Sequence, residues 1–331
     1  MLRLPPFKYI APDTLKEAAE ALAAYGDEAM LVAGGTDLYP NMKRRQFEPK
    51  VLVGLRRIEE LRWITGDEKS GVVIGAGVTL REVSAHPIVS SHYHAVAKAA
   101  GLVSTPPLRN MGTIGGNLCV DTRCNYYNMP HPWRKAIGFC MKKDGDICLV
   151  APGSSKCLAV SSSDLAPVVV ALGARLRLVG TKEERVVPAG DFYRDDGISY
   201  LAKERDEILA EVRLPAADGW RTTYWKLRRR GSFDFPILGV AACLRLNDDG
   251  RVESLRLVLG AVASRPVEVE GAEAILADRR PSPEDIEAVA EAAYRVAKPM
   301  DNADGAFYWR KKMVRPYVRG ALRELLGMDV A

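Results

Sequence analysis

The chain has 331 residues, 47% of them hydrophobic and 27% charged, with a formal net charge of +5. This is ordinary globular usage, with apolar surface enough for two cores and no need of disulfides to hold them. The small basic excess, with no aromatics interleaved among the basic residues, argues against nucleic acid, and no apolar run approaches the ~18 residues of a membrane span.

The first residues, "MLRLPPFKYIAPDT", hold no continuous apolar stretch of the secretory kind, which sets the expectation of a cytoplasmic protein with reduced cysteines. "APDTLKEAAEALAAYG" predicts a helix: Thr14 and Glu17 are spaced for a capping box, Leu15, Ala18, Ala19 and Leu22 share one face, and Gly26 suits the stop. A short strand, Met30 to Ala33, follows. "VLVGL" (51–55) and "GVVIGAGVTL" (71–80) are further strands. Helices are expected at "LREVSAH" and around "HAVAKAAGLV", then a helix running into a strand in "DLAPVVVALGARLRLVG", then a strand "EILAEVRLP" stopped by Pro215. The pattern changes near Gly219. From Arg221 the chain reads as antiparallel strands with a turn at Asp248–Gly250, then as helices opening at Ser282 and covering the last region. A boundary is placed at 216–220. No fixed-period repeat is visible.

Two glycine motifs stand out, "AGGTD" (33–37) and "MGTIGGN" (111–117). Glycine lets backbone N–H groups approach an anion with no Cβ in the way, and consecutive amides can form a phosphate nest. Either motif alone is as well explained by a simple turn. There is no G-x-G-x-x-G and no Walker A sequence, so a dinucleotide would need another kind of fold. The four histidines form no metal spacing: His92-x-His94 reads as one face of a strand, on a polar surface. No nucleophile and base pair of a hydrolase is present.

Together, "MLVAGGTDLYPNMK", "TPPLRNMGTIGGN" and "SSSDLAP" resemble the FAD-binding subunits of the molybdenum hydroxylases, the group of the xanthine and carbon monoxide dehydrogenase flavoproteins, over nearly the whole chain. The resemblance implies an α+β fold: a vanillyl-alcohol-oxidase-type FAD domain at 1–217, with subdomains at about 1–55 and 56–217, and a small C-terminal α+β domain at 218–331. It implies that Leu31, Val32, Gly34, Gly35, Thr36 and Asp37 form a first loop around the FAD pyrophosphate, and Thr113, Gly116 and Asn117 a second. By the same resemblance Asp164 contacts the adenosine part, Leu209 the flavin, and Lys226 lies near the isoalloxazine ring.

In that family the Asn of "GGN" is followed closely by "SDL", yet here Asn117 and Asp164 are 47 positions apart. The intervening segment, about 118–160, is an insertion. Within it, the stretch "CNYYNMPHPWRKAIGFCMKKDGDICLVAPGSSKC" (124–157) holds four of the chain's six cysteines. Its apolar content is low, so it calls for an internal fastener. Buried free cysteines fit poorly beside Lys142, Lys143, Asp144, Gly145 and Asp146, and disulfides fit a reducing compartment poorly. The spacing C-x15-C-x7-C-x8-C leaves zinc and an iron–sulfur cluster open. The segment resembles the inserted loop of the 4-hydroxybenzoyl-CoA reductase subfamily, which implies a [4Fe-4S] cluster on Cys124, Cys140, Cys148 and Cys157. Cys119 is then an extra cysteine and Cys243 a core residue.

The resemblance further implies an electron-transfer subunit that never touches substrate. It would work with a large subunit carrying the molybdenum cofactor, a small subunit carrying two [2Fe-2S] clusters and a low-potential donor such as ferredoxin, as a dimer of heterotrimers. An oxidising hydroxylase, or a flavin-free subunit with a zinc-stapled loop, are the alternatives. Between Leu118 and Ser163 six basic residues face three acidic ones, which sets the expectation of a positive docking surface at Lys142 and Lys143 for an acidic donor.

Overall fold

The structure, a computed structural model, describes residues 3–329. A small parallel sheet comes first, made of β1 (Lys8–Ile10), β2 (Ala29–Val32) and β3 (Val51–Gly54) in the order β1-β3-β2. Two helices serve its crossovers, α1 (Leu15–Tyr25) and α2 (Leu38–Lys43). Helix α1 buries Leu15, Ala18, Ala19 and Leu22, the face that its 3.6-residue period marks out. Burial of each of its two leucines stabilises the fold by about 1.5–3 kcal/mol. Only half of the expected capping box forms: the Thr14 hydroxyl accepts from Glu17 N, but the Glu17 carboxylate turns to the N–H of Asp13 at 2.9 Å. Gly26, at φ 52°, ends the helix as expected.

The second sheet is antiparallel and holds β4 (Ile64–Asp67), β5 (Gly71–Gly75), β6 (Arg175–Val179), β7 (Glu184–Pro188) and β8 (Ile208–Leu214) in the order β4-β5-β8-β6-β7. The strand predicted over 71–80 stops at Gly75, because Thr79 and Glu82 close a capping box that opens a helix at Leu80. Between β5 and β6 run seven short helices: α3 (Leu80–Ala85), α4 (Pro87–His92), α5 (His94–Leu102), α6 (Pro106–Arg109), α7 (Ile114–Leu118), α8 (His131–Ala136) and α9 (Ala166–Ala171). His92 and His94 therefore lie on consecutive helices and not on one strand, and both are exposed, on the polar surface expected of them.

The third sheet, β9 (Arg221–Leu227), β10 (Leu238–Leu246), β11 (Val252–Gly260) and β12 (Val267–Glu268), is antiparallel in the order β12-β11-β10-β9. It is followed by α10 (Ala272–Leu276), α11 (Pro283–Val296) and α12 (Phe307–Leu326). Strand β10 reads as an unbroken apolar run because it is covered on both faces. Leu238, Val240, Ala242 and Leu244 pack into the core shared with α11 and α12, while Ala241 and Cys243 point into the main core with Val168 of α9. Cys243 is thus a core residue, its thiol pushed up to about 12 by burial. No helix among the described residues is long and apolar enough to cross a membrane.

Candidate functional site

The first glycine loop leaves the end of β2, and the second runs from the turn after α6 into the first residues of α7. They touch backbone to backbone: a Cβ on Gly34 would stand 1.9 Å from the Met111 carbonyl oxygen. Only glycine permits that approach. Gly35 has φ 68°, and a Cβ there would meet the Tyr39 ring at 2.3 Å. The second loop is tied to α3 and to the link between β5 and α3 by backbone bonds from Leu80 N to Gly112 O, Ile114 N to Val78 O and Gly115 N to Ala76 O, all 2.8–2.9 Å. Thr113 caps α7 by accepting from Gly116 N at 3.0 Å.

These loops wall a cleft of about 560 Å³, a size in the range of small-molecule sites. Leu31, Val32, Gly34, Gly35, Thr36, Asp37, Thr113, Gly116, Asn117, Asp164 and Leu209 all line it, as does the Phe233–Ile237 turn between β9 and β10. Lys226 stands behind the wall. Its Nζ donates to Asp164 Oδ2 at 2.8 Å and to the Leu102 carbonyl at 3.2 Å. Asp164 Oδ1 accepts from the Tyr224 hydroxyl at 2.8 Å. Burial raises the Asp164 carboxyl above its ordinary value, against the pull of Lys226 and Tyr224. Asn117 is a tie between segments, its Oδ1 accepting from Ser163 Oγ at 2.8 Å and Leu165 N at 3.1 Å. The surroundings suit FAD: Gly116 offers bare backbone to the cleft, since an added Cβ would meet nothing nearer than Thr113 Oγ1 at 3.1 Å. Arg123, on the cleft wall and paired with Asp37, was not foreseen. Its only sequence signal is its place in an insertion that begins at the second glycine loop.

The inserted segment is better packed than its composition suggests. Cys124, Tyr127, Cys140, Cys157 and Ala159 form a small core of their own, with Met141, Leu149 and Val150 against it. Cys148 is buried too, at 4% exposure. Burial pushes the Cys124 thiol up to about 12 and the Cys157 thiol up to about 11. All six cysteines are free. Among the described residues no three His, Cys, Asp or Glu side chains are grouped to hold a single metal ion. Four thiolates round one zinc would stand about 3.8 Å apart at its 2.3 Å bond length, so the zinc-stapled alternative finds no support. The same finding leaves the expected [4Fe-4S] cluster without support here, although its four cysteines are all buried.

The segment is pinned from three sides. Arg134, 1% exposed, donates to the carbonyls of Arg44 and Arg45 at 3.0–3.1 Å. Gln46 Nε2 donates to the Tyr127 carbonyl at 2.7 Å, and Asn302 Nδ2 to the Leu158 carbonyl at 2.5 Å. The expected positive surface forms only in part: Lys142 is lost from it, while Lys135, Lys143 and Lys156 stay at least partly exposed. The Lys142 side chain is 6% exposed and pairs with Asp121 at 2.7 Å, and Arg123 and Arg134 are buried as well. Local composition counts charges but does not see the carboxylate and carbonyls that bury them.

Comparison with known proteins decides the family. The FAD binding domain in molybdopterin dehydrogenase matches residues 5–217, and the CO dehydrogenase flavoprotein C-terminal domain matches residues 222–325. The chain belongs to the FAD-binding medium subunits of the molybdenum hydroxylases. This medium subunit is 31% identical to the carbon monoxide dehydrogenase medium chain of Hydrogenophaga pseudoflava, over 96% of each chain. It is 26% identical to the nicotinate dehydrogenase FAD-subunit of Eubacterium barkeri, over 93% of this chain and 92% of that one. Its fold superposes on a solved Hydrogenophaga pseudoflava carbon monoxide dehydrogenase with a TM-score of 0.81 at 30% identity, covering 98% and 99% of the two chains. The medium subunit is therefore an FAD-binding oxidoreductase component.

Proposed function

We propose that this medium subunit relays electrons in a 4-hydroxybenzoyl-CoA reductase-like complex, and that it carries a [4Fe-4S] cluster on Cys124, Cys140, Cys148 and Cys157 beside its FAD. A low-potential donor such as ferredoxin stands on one side of the relay. On the other stand a small subunit with two [2Fe-2S] clusters and a molybdenum large subunit that reductively dehydroxylates an aromatic CoA thioester. One observation supports the reading: the inserted segment buries all four cysteines, three of them in one small core, and its residues Arg123 and Asn125 line the same cleft as the glycine loops. When bound, flavin supplies exchange between two-electron and one-electron chemistry. The chain's part is to hold it, with the loops of Gly34–Asp37 and Thr113–Asn117 together with Leu209 and Asp164, and to keep water from the cysteine core.

A second reading has support of its own, since the relatives named above are dehydrogenases. There the same relay serves oxidation of an aromatic or CoA-linked substrate. The complex purified with its partners separates the two. Turnover of 4-hydroxybenzoyl-CoA with a reduced donor, at four irons per medium subunit beyond those of the small subunit, supports the reductase. Iron confined to the small subunit, with FAD present, would sink the cluster and leave the oxidative reading.

A further inference from the structure

We propose that Arg123, which the inserted segment contributes, is a binding residue for the FAD diphosphate. The inference rests on the flavin reading of the cleft. Asp37 lies on the first glycine loop and lines the cleft, so its carboxylate would repel a diphosphate held there. Arg123 lines the same cleft and pairs with that carboxylate through Nη2, while Nη1 donates to Asn41 Oδ1 at 3.3 Å. The residue is only 6% exposed. It is held in place by two backbone bonds with Val160, at 2.8 and 2.7 Å, and by the Phe235 ring, 4.8 Å from the guanidinium carbon.

A guanidinium carries five N–H donors. Asp37 and Asn41 do not use them all, and buried Nε has no acceptor. An incompletely satisfied cation on a cleft wall costs free energy until an acceptor arrives. A group with several oxygens in fork geometry, a phosphate, fits it best. The other arginines on the wall, Arg44, Arg229 and Arg230, are exposed, and the last two pair with Asp304 and Asp234. The insertion thereby supplies a side chain to the flavin site as well as a place for its cysteines.

The test is FAD affinity of the full chain, stripped of flavin and titrated with FAD, for the parent, Arg123→Met, Arg123→Lys and the double variant Asp37→Asn/Arg123→Met. Loss of a hydrogen bond to a charged group predicts about tenfold to a hundredfold weaker FAD in Arg123→Met. Arg123→Lys, which keeps the charge but not the fork, is expected to lose about tenfold, and it carries the test if Arg123→Met does not fold. The double variant is expected to stay weak. Parental affinity in the single variants would overturn the inference. Recovery in the double variant would too, because Arg123 would then act only by neutralising Asp37. A parent that takes up no FAD would instead remove the flavin reading itself.

Discussion

Lys226 and Asp164, 62 positions apart in sequence, form a buried ion pair at 2.8 Å that joins β9 to the turn preceding α9. Asp164 lines the cleft and Lys226 stands behind it, with the two side chains 3% and 1% exposed. Removing one partner of such a pair leaves an uncompensated buried charge, at a cost of about 3–5 kcal/mol.

Lys226→Met is expected to show that cost near neutral pH, and to show less of it in acid. The sign follows from Asp164. Its folded pKa already lies above the ordinary carboxylate value because of burial, and losing Lys226 raises it further. A group with a raised folded pKa favours folding when protonated and costs stability as pH rises through that pKa. Urea unfolding of parent and variant across the acid-to-neutral range checks this. A stability difference that does not depend on pH would mean Asp164 is not the group left uncompensated.

Lys142→Met should destabilise the chain by a similar amount, because Asp121 is 7% exposed and its Oδ2 already lacks a partner. Lys143→Glu should shift stability by no more than about 0.5 kcal/mol, as a partly exposed charge does. The unfolding midpoints report both. If a donor docks on this segment, Lys143 is the better of the two lysines to probe. Its reversal should slow reduction by an acidic protein donor at low salt and leave reduction by a small neutral dye unchanged.

The two glycine loops should respond differently to a methyl group. Gly34→Ala drives a Cβ into the Met111 carbonyl, so the loops must part, with a stability loss of about 1–3 kcal/mol as well as weaker flavin binding. Gly116→Ala meets only Thr113 Oγ1 at 3.1 Å, so its effect should fall mainly on FAD. Flavin stoichiometry and thermal unfolding on the same preparations separate the two, and full flavin in both variants would dissociate these loops from the cofactor.

Cys140→Ser or Cys148→Ser should lose the medium subunit's iron and keep its FAD, since the cysteine core and the glycine loops use different residues. Cys119→Ser should keep both. Iron retained in Cys124→Ser but lost in Cys119→Ser would reassign the first ligand.

Local pattern was enough for the stronger elements and the cleft's raw material, but not for β1, β4, β7 or the short helices α2, α4 and α6 to α8. Helix α1 announces itself by Leu15, Ala18, Ala19 and Leu22, α11 by Ser282 before Pro283, and β10 by its apolar run, because helix period, capping and double-sided burial act over a few residues. Glycine at 34, 35 and 116 likewise marks places where backbone must turn or be approached. Contacts distant in sequence were decided by tertiary structure. That Gly34 abuts Met111, that Lys226 is spent on Asp164, and that Arg123 reaches Asp37 depend on loops brought together by three separate sheets. The charges of the insertion are the sharpest instance. In sequence Lys142 belongs to a solvated basic run. In the fold it is buried, because Asp121, the Thr122 hydroxyl and the Gly197 carbonyl surround its ammonium group. A charge goes inside only where partners offset its desolvation, and the third of these lies 55 positions away.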